Sequence, residues 1–281
     1  MFKRAEEAAI SAVLALLLEV SSTPKAGNVD REHNFEDLKF EHFLISAASA
    51  FPFFLQTARK KKIYIFKAIS ESKKLGVKTN VHFGAFLLLF PLVAVWNSEN
   101  SAIAGKNATE FLKSTTTIEA LDIYRSFQLC SPRVLKTAKM SLENKTTATE
   151  LIRKRMNVYE WMKLAPSENL IASEILNGYP ISVEGANFLI NSNRNANEAI
   201  VFLYHKMLAS YPDTLIIAKA GREFAIELMN LAKKALESKN FEEFRKLDEF
   251  LLKNKLNPGT IADLTASSIY LALLEGWKIE A

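Results

Sequence analysis

A chain of 281 residues is long enough to bury roughly 75% of the surface its unfolded form exposes, so its core needs no covalent staple. Nine glycines and eight prolines, about 6% of the chain against an average near 12%, are too few for sandwiches, barrels and other turn-rich β architectures. The 36 basic and 31 acidic residues leave a formal charge of +5, which permits nucleic acid without implying it, and the single cysteine, Cys130, excludes an intramolecular disulfide or a multi-cysteine metal site.

Residues 5–20 are apolar nearly all round, which predicts a first helix in a central position. Lys3 and Arg4 ahead of the apolar stretch mimic a signal peptide. Glu6 and Glu7 interrupt the approach, Glu19 closes the run and no small-x-small cleavage site follows. The expectation is therefore a cytoplasmic, reducing location. The loop that follows reads Glu19-Val-Ser-Ser-Thr-Pro-Lys-Ala-Gly-Asn-Val-Asp30-Arg31. Lys25 and Arg31 offer cations to phosphate, and Gly27 lets backbone N–H groups approach an anion. Glu19 and Asp30 are hard oxygen donors of the kind magnesium takes beside phosphates. The same residues also describe an ordinary helix end, with Lys25 at the dipole and Pro24 stopping the helix. Between Pro24 and Gly27 no core packing is expected of Lys25.

Helices are predicted at about 37–57 and 60–74, then at 82–96 after a turn from Gly76 to Gly84. That turn carries Asn80 and His82; a histidine opening an apolar helix is either a proton acceptor or a hydrogen-bonded cap. The most apolar run, Gly84 to Trp96, is shorter than the about 20 residues that cross a bilayer and contains Pro91, so no membrane partner is expected. Ala104-Gly-Lys-Asn107 lacks the upstream glycine and the following hydroxyl of a phosphate loop. Further helices follow at 117–129, opened by the capping box Thr116-x-x-Glu119, and at 147–164, 168–177, 195–209, 213–237 with Asp213 at its start, and 241–254. Arg59 to Lys62 and Arg153 to Arg155 read as solvated helix faces, and no nucleic-acid role is expected of them. The last helix, 259–275, opens on Asn257-Pro-Gly-Thr, whose free N–H groups form an anion site unless Asn257, Thr260 and Asp263 merely cap the first turn. No segment alternates with a period of two. The reading is an all-α, multi-helix bundle, one domain over residues 1–281, with a central cleft where the three polar connections meet the core.

Taken in order, these stretches resemble the triphosphoribosyl-dephospho-CoA synthase family. The pattern Glu-Val-x-x-Thr-Pro-Lys-Pro-Gly-x-Val-Asp-Arg stands here as residues 19–31, with Ala26 for the second proline. Asn-Thr-His-Lys-Gly-Ala stands as Asn80 to Ala85, keeping Asn80, His82 and Gly84 but with Val81 and Phe83. Arg-Gly-Glu-Ala-x-x-Gly-Phe-Pro is matched by Ala172 to Pro180, keeping Glu174 and losing the arginine. Asn-x-Pro-Gly-Gly-Ser-Ala-Asp-Leu is matched by Asn257 to Leu264, which includes Gly259 and Asp263. The similarity is closest to the archaeal branch of the family.

The resemblance implies an all-helical transferase of coenzyme biosynthesis that moves the 5-triphosphoribosyl group of ATP to a hydroxyl of dephospho-CoA or a related precursor, releasing adenine. It implies Lys25, Gly27, Arg31, Asn80, Gly84, Asn257 and Gly259 as nucleotide-binding residues. It implies Glu19, Glu174 and Asp263 as magnesium ligands, and Asp30 or His82 as base or electrostatic stabiliser. The loss of cations at Phe83 and Ala172 weakens the expected grip on a phosphorylated acceptor. A helical nucleotide-binding module without catalysis is the alternative, ahead of an RNA- or protein-interaction protein. A homo-oligomer is compatible with the sequence.

Overall fold

The computed structural model describes residues 1–132, 134–135, 137, 139–238 and 240–279. Among them there are fifteen helices and no strand. In chain order these are α1 (Ala5–Ser21), α2 (Phe40–Lys60), α3 (Ile65–Lys74), α4 (Phe83–Ala94), α5 (Ser101–Lys113), α6 (Thr117–Cys130), α7 (Thr147–Lys154) and α8 (Val158–Met162). They continue with α9 (Leu170–Leu176), α10 (Pro180–Ile190), α11 (Ala196–Ser210), α12 (Thr214–Ala220), α13 (Arg222–Ser238), α14 (Phe241–Lys253) and α15 (Gly259–Leu274). No helix among the described residues is long and apolar enough to cross a membrane.

Three helices form the middle of the bundle because their sequences leave no polar face to show. In α1, Ala8, Ala9, Ala12 and Ala15 are buried and small enough for α2 and α15 to pack closely on either side. In α4 ten of the twelve residues are buried, from Phe83 to Ala94. In α15 the run from Ala266 to Ala272 is buried without interruption. The remaining helices wrap these three and share their apolar cluster.

The all-helical expectation holds, with boundaries adjusted. The stretches 101–113 and 180–190 are helices that the period did not show; Gly105 and Asn107, and Gly185 with Asn187, are poor helix formers that break the apolar stripe. The stretch 147–164 divides into α7 and α8 at Arg155, which adopts a left-handed conformation, φ 50°, and Asn157 caps the second piece. The stretch 213–237 divides at Gly221. The capping box at Thr116 and Glu119 forms: the Ile118 N–H donates to Thr116 Oγ1 at 3.2 Å, and the Thr116 N–H to Glu119 Oε2 at 2.9 Å.

What this arrangement does for function is to bring three helix ends together. The last turn of α1, the first turn of α4 and the first turn of α15 meet, and the connection 22–39 lies across them.

Candidate active site

The connection after α1 is wall rather than cradle. Residues 24–30 are all buried, and Lys25 is 0% exposed. Its ammonium is ion-paired with Glu19 one turn back in α1, donates to the Val29 carbonyl at 3.4 Å and lies 5.8 Å from the centre of the Tyr204 ring. Burial pushes the Glu19 carboxyl upward, and the Lys25 charge opposes that shift. The expectation of an unpacked Lys25 is therefore corrected: a lysine that leaves water here does so for a carboxylate.

Asp30 is also turned inward. Its Oδ1 accepts from the Glu32 and His33 N–H groups at 2.8 and 2.9 Å, and its Oδ2 from the Lys25 N–H at 3.4 Å. Gly27, at φ +70°, donates its N–H to Asp248 Oδ1 of α14 at 2.8 Å, and a Cβ on it would stand 2.6 Å from the Leu256 carbonyl oxygen. Tyr204 ties down the same turn by donating its hydroxyl to the Ala26 carbonyl at 2.8 Å. Arg31 is exposed and donates to the Ser21 carbonyl. Lys25, Gly27, Asp30 and Arg31 do not line the cleft; they brace the wall whose inner side presents Glu19 and Asn28 to it.

The cleft itself has a volume of about 950 Å³, at the upper end of the roughly 300–1,000 Å³ usual for small-molecule sites. Glu19, Asn80, His82, Gly84, Asn257, Gly259 and Asp263 all line it. Asn80 Oδ1 accepts the Phe83 N–H at 3.3 Å and so caps the start of α4. His82 stands at the N-cap of α4, 4% exposed, with Nδ1 3.0 Å from Ser46 Oγ of α2 and its Nε2 without a hydrogen-bond partner among the described residues. Burial, assisted by the Lys25 charge, pushes its pKa down to about 3, so the ring is neutral. A neutral ring with so low an affinity for protons is a poor base.

Gly84 explains how α4 and α15 approach: a Cβ there would collide with the Asp263 carboxylate. Burial pushes the Asp263 carboxyl well up, reinforced by Glu19 and Asp213 and opposed by the Ala85 N–H. At the other end of that turn the Asn257 Oδ1 is buried with no partner among the described residues.

Two sequence-based assignments are corrected by where helix N-termini find their partners. The start of α15 is not an open anion site, because Asp213 occupies it. Its Oδ2 accepts the Ile261 N–H at 2.9 Å, while Oδ1 caps α12 through the Leu215 and Ile216 N–H groups at 2.7 and 2.9 Å. Burial raises Asp213 to about 6 against those hydrogen bonds. Glu174 likewise caps α10, accepting the Ile181 and Ser182 N–H groups at 3.1 and 2.6 Å, and lies outside the cleft lining. It is thus removed from the magnesium set. Among the described residues no three His, Cys, Asp or Glu side chains gather so as to hold a metal ion by themselves.

The cations that do line the cleft are Lys78, Lys219 and Lys255, all exposed, from three separate segments. Sequence reasoning passed over them, although Lys78 lies in the Gly76–Gly84 turn and Lys255 stands two residues before the last motif. Phe83 and Ala172, where the family pattern carries cations, are buried and outside the lining, Phe83 packed against Phe127 with ring centroids 6.3 Å apart.

The sequence model of the ATP:dephospho-CoA triphosphoribosyl transferase family matches residues 5–280. A crystal structure from Archaeoglobus fulgidus, provisionally described as a triphosphoribosyl-dephospho-CoA synthase, is 44% identical and superposes with a TM-score of 0.72 over 84% of this chain and 100% of its own. No curated protein matches the chain in sequence. With nearly the whole length matched and the same helical frame in the relative, the chain belongs to the ATP:dephospho-CoA triphosphoribosyl transferase family, a transferase that moves the triphosphoribosyl group of ATP to dephospho-CoA.

Proposed function

We propose that the cleft at the meeting of α1, α4 and α15 is where the transfer takes place, and that Glu19 and Asp263 are its central acidic pair. The observation that supports this is the convergence of those two carboxyl groups with the unpartnered His82 Nε2 and Asn257 Oδ1 on one cavity of nucleotide-binding size. Four separate polar groups left without protein partners, or held against the cost of burial, are groups kept for a ligand.

The chemistry then follows from the atoms. Transfer breaks the bond between C1′ and N9 of ATP through an oxocarbenium-like transition state, as in glycoside cleavage. The acceptor hydroxyl oxygen forms the new bond to C1′, the C1′–N9 electron pair leaves with adenine, and the hydroxyl proton ends on adenine. Positive charge develops at C1′, and fixed carboxylates facing that atom stabilise it without reorganising. Asp30 holds the wall, so its part in this is to position Glu19 through the Lys25 turn.

Magnesium, when bound, supplies positive charge to the triphosphate oxygens. The residue that would hold it is Glu19, a hard oxygen donor on the cleft, since magnesium is usually met by one or two carboxylates with phosphates and water completing the shell, and Asp263 is left to face C1′. The absence of a three-residue metal cluster among the described residues fits that mode. Lys78, Lys219 and Lys255 give the rim the positive charge that phosphates of either substrate require.

Asp263→Asn tests the reading. The side chain keeps its volume, so the helical spectrum and melting temperature should hold. Release of adenine from ATP in the presence of dephospho-CoA should fall by at least about a hundredfold, the usual loss on removing one electrostatic group from a transition-state site. Unchanged adenine release would remove Asp263 from the machinery.

A further inference from the structure

His82 presents a choice of tautomer that the surrounding hydrogen bonds decide. Its Nδ1 lies 3.0 Å from the hydroxyl of Ser46, a residue of α2 that is 3% exposed. Among the described residues that hydroxyl has no other side-chain or backbone partner. Were Nδ1 to carry the hydrogen, both the Ser46 hydroxyl and the bare Nε2 would be buried without a partner, whereas the other tautomer leaves only the Nε2–H unmet. With Ser46 donating, Nδ1 accepts and the hydrogen of the neutral ring sits on Nε2. Nε2 points nearly opposite to Nδ1, and it is the ring atom with no protein partner.

What lies beside the ring narrows what that N–H meets. Phe43 packs edge-on against His82, centroids 5.1 Å apart and planes at 84°. Phe43 belongs to a small apolar cluster, separate from the main core, that includes Phe35, Leu38 and Val81. These four side chains line the cleft as His82 does. An apolar wall with one neutral donor suits the face and edge of a heteroaromatic base; a phosphate or a ribose would be desolvated there without return.

We propose that Ser46 locks His82 in its Nε2–H form and that this N–H donates to a ring nitrogen of adenine seated against Phe35, Leu38, Phe43 and Val81. His82 then gives no proton. As the C1′–N9 pair passes to the purine, the ring nitrogens gain electron density and the hydrogen bond strengthens, so the contact favours the transition state over bound ATP. The proton that adenine finally carries is the one lost by the acceptor hydroxyl. Burial, which keeps the ring neutral, serves this role and would defeat a base. Ser46 is a positioning residue in this scheme. The inference rests on the reading of the cleft as the transfer site.

Two measurements test it. Long-range proton–nitrogen NMR of the histidine rings in the free, full-length protein, with the His82 signals assigned through His82→Asn, should show the Nε2–H tautomer from pH 6 to 8. Ser46→Ala should shift the ring toward the Nδ1–H form or a mixture. A wild-type ring in the Nδ1–H form, or protonated, would overturn the proposal without touching the transfer reading. In the second measurement, adenine-analogue release is followed with 1-deaza-ATP, 3-deaza-ATP and 7-deaza-ATP. One analogue should react at least about tenfold more slowly than ATP in the wild-type protein, and that penalty should vanish in Ser46→Ala. Ser46→Ala should lower kcat by about tenfold with KM for ATP within about twofold, and Ser46→Thr should restore it. Equal rates for ATP and all three analogues would rule out the contact with adenine. No release from ATP with any acceptor would instead refute the transfer reading itself, and the ring spectrum would still report the tautomer.

Discussion

At the scale of single residues, a lysine and a glycine carry most of the new information. Lys25 belongs to the most specific motif in the sequence, and its type suggested phosphate. Its surroundings give it to Glu19 instead, at 0% exposure. Lys25→Ala should therefore lower unfolding free energy by about 3–5 kcal/mol, the cost of leaving a buried charge without its partner. The double variant Lys25→Met with Glu19→Gln should cost less than the two single changes together, which urea titration would show. An additive pair would contradict the buried ion pair. Gly84→Ala should do the opposite. Its new methyl group meets the Asp263 carboxylate, not the backbone, so stability should change little while adenine release falls by about a hundredfold, as expected when a reacting group is displaced by about an ångström. Residue type could be read for both positions from the motifs; what could not be read was which neighbour each would meet, because Lys25 and Glu19 are close only once the turn folds back, and Gly84 and Asp263 are far apart in the chain.

At the scale of elements, helix starts decided which acidic residues remain available. Of the helix starts that sequence signals named, Thr116 and Asp213 each accept from the first turn of the helix that follows, and Asn157, Asn169 and Asn195, which those signals did not single out, do the same. The local rule failed only where a cap also serves a distant helix. Asp213 starts α12 as its position suggests, and the same carboxylate closes the start of α15. Asp213→Ala should cost about 2–4 kcal/mol, since it removes charge-assisted bonds to two helix starts at once. It should also reduce transfer, because α15 carries Asp263 in its first turns. A loss no greater than about 1 kcal/mol in chemical denaturation would mean that only one of the two caps matters. The same logic explains Glu174: its place in a matched motif is real, and its partner is the N-terminus of α10. Spacing shows that a carboxylate is wanted; it does not show whether a helix or a metal ion wants it.

At the scale of the whole molecule, the helical class was legible because scarcity of glycine and proline and a 3.6-residue period act over the full length, and no single contact could reverse them. The candidate site was legible only in outline, since seven of the candidate residues line the cleft, Lys25, Gly27, Asp30 and Arg31 brace it from behind, and Glu174 caps α10 instead. Buried titratable groups give the bundle a characteristic response to pH. His205 stacks on Phe244 at 3.8 Å, donates its Nδ1–H to the Val201 carbonyl at 2.8 Å, and burial pushes it down to about 4 from 6.5. Its folded-state pKa is depressed, so its contribution is complete above pH 6.5 and is lost as pH falls through about 4. Asp213, raised to about 6 from 3.8 by burial, works in the opposite sense: its contribution is complete below pH 3.8 and is lost as pH rises through about 6. Between pH 7 and 4.5 the wild-type protein should lose about 3 kcal/mol more stability than His205→Phe, the worth of about two pKa units; parallel pH profiles would contradict this. The central claim concerns the reaction in the cleft, and product analysis tests it most directly. Protein incubated with ATP, magnesium and dephospho-CoA should yield free adenine and a triphosphoribosyl adduct of dephospho-CoA in equal amounts by chromatography and mass spectrometry. Adenine released without the adduct, or ATP converted to ADP or AMP with adenine still attached, would contradict it.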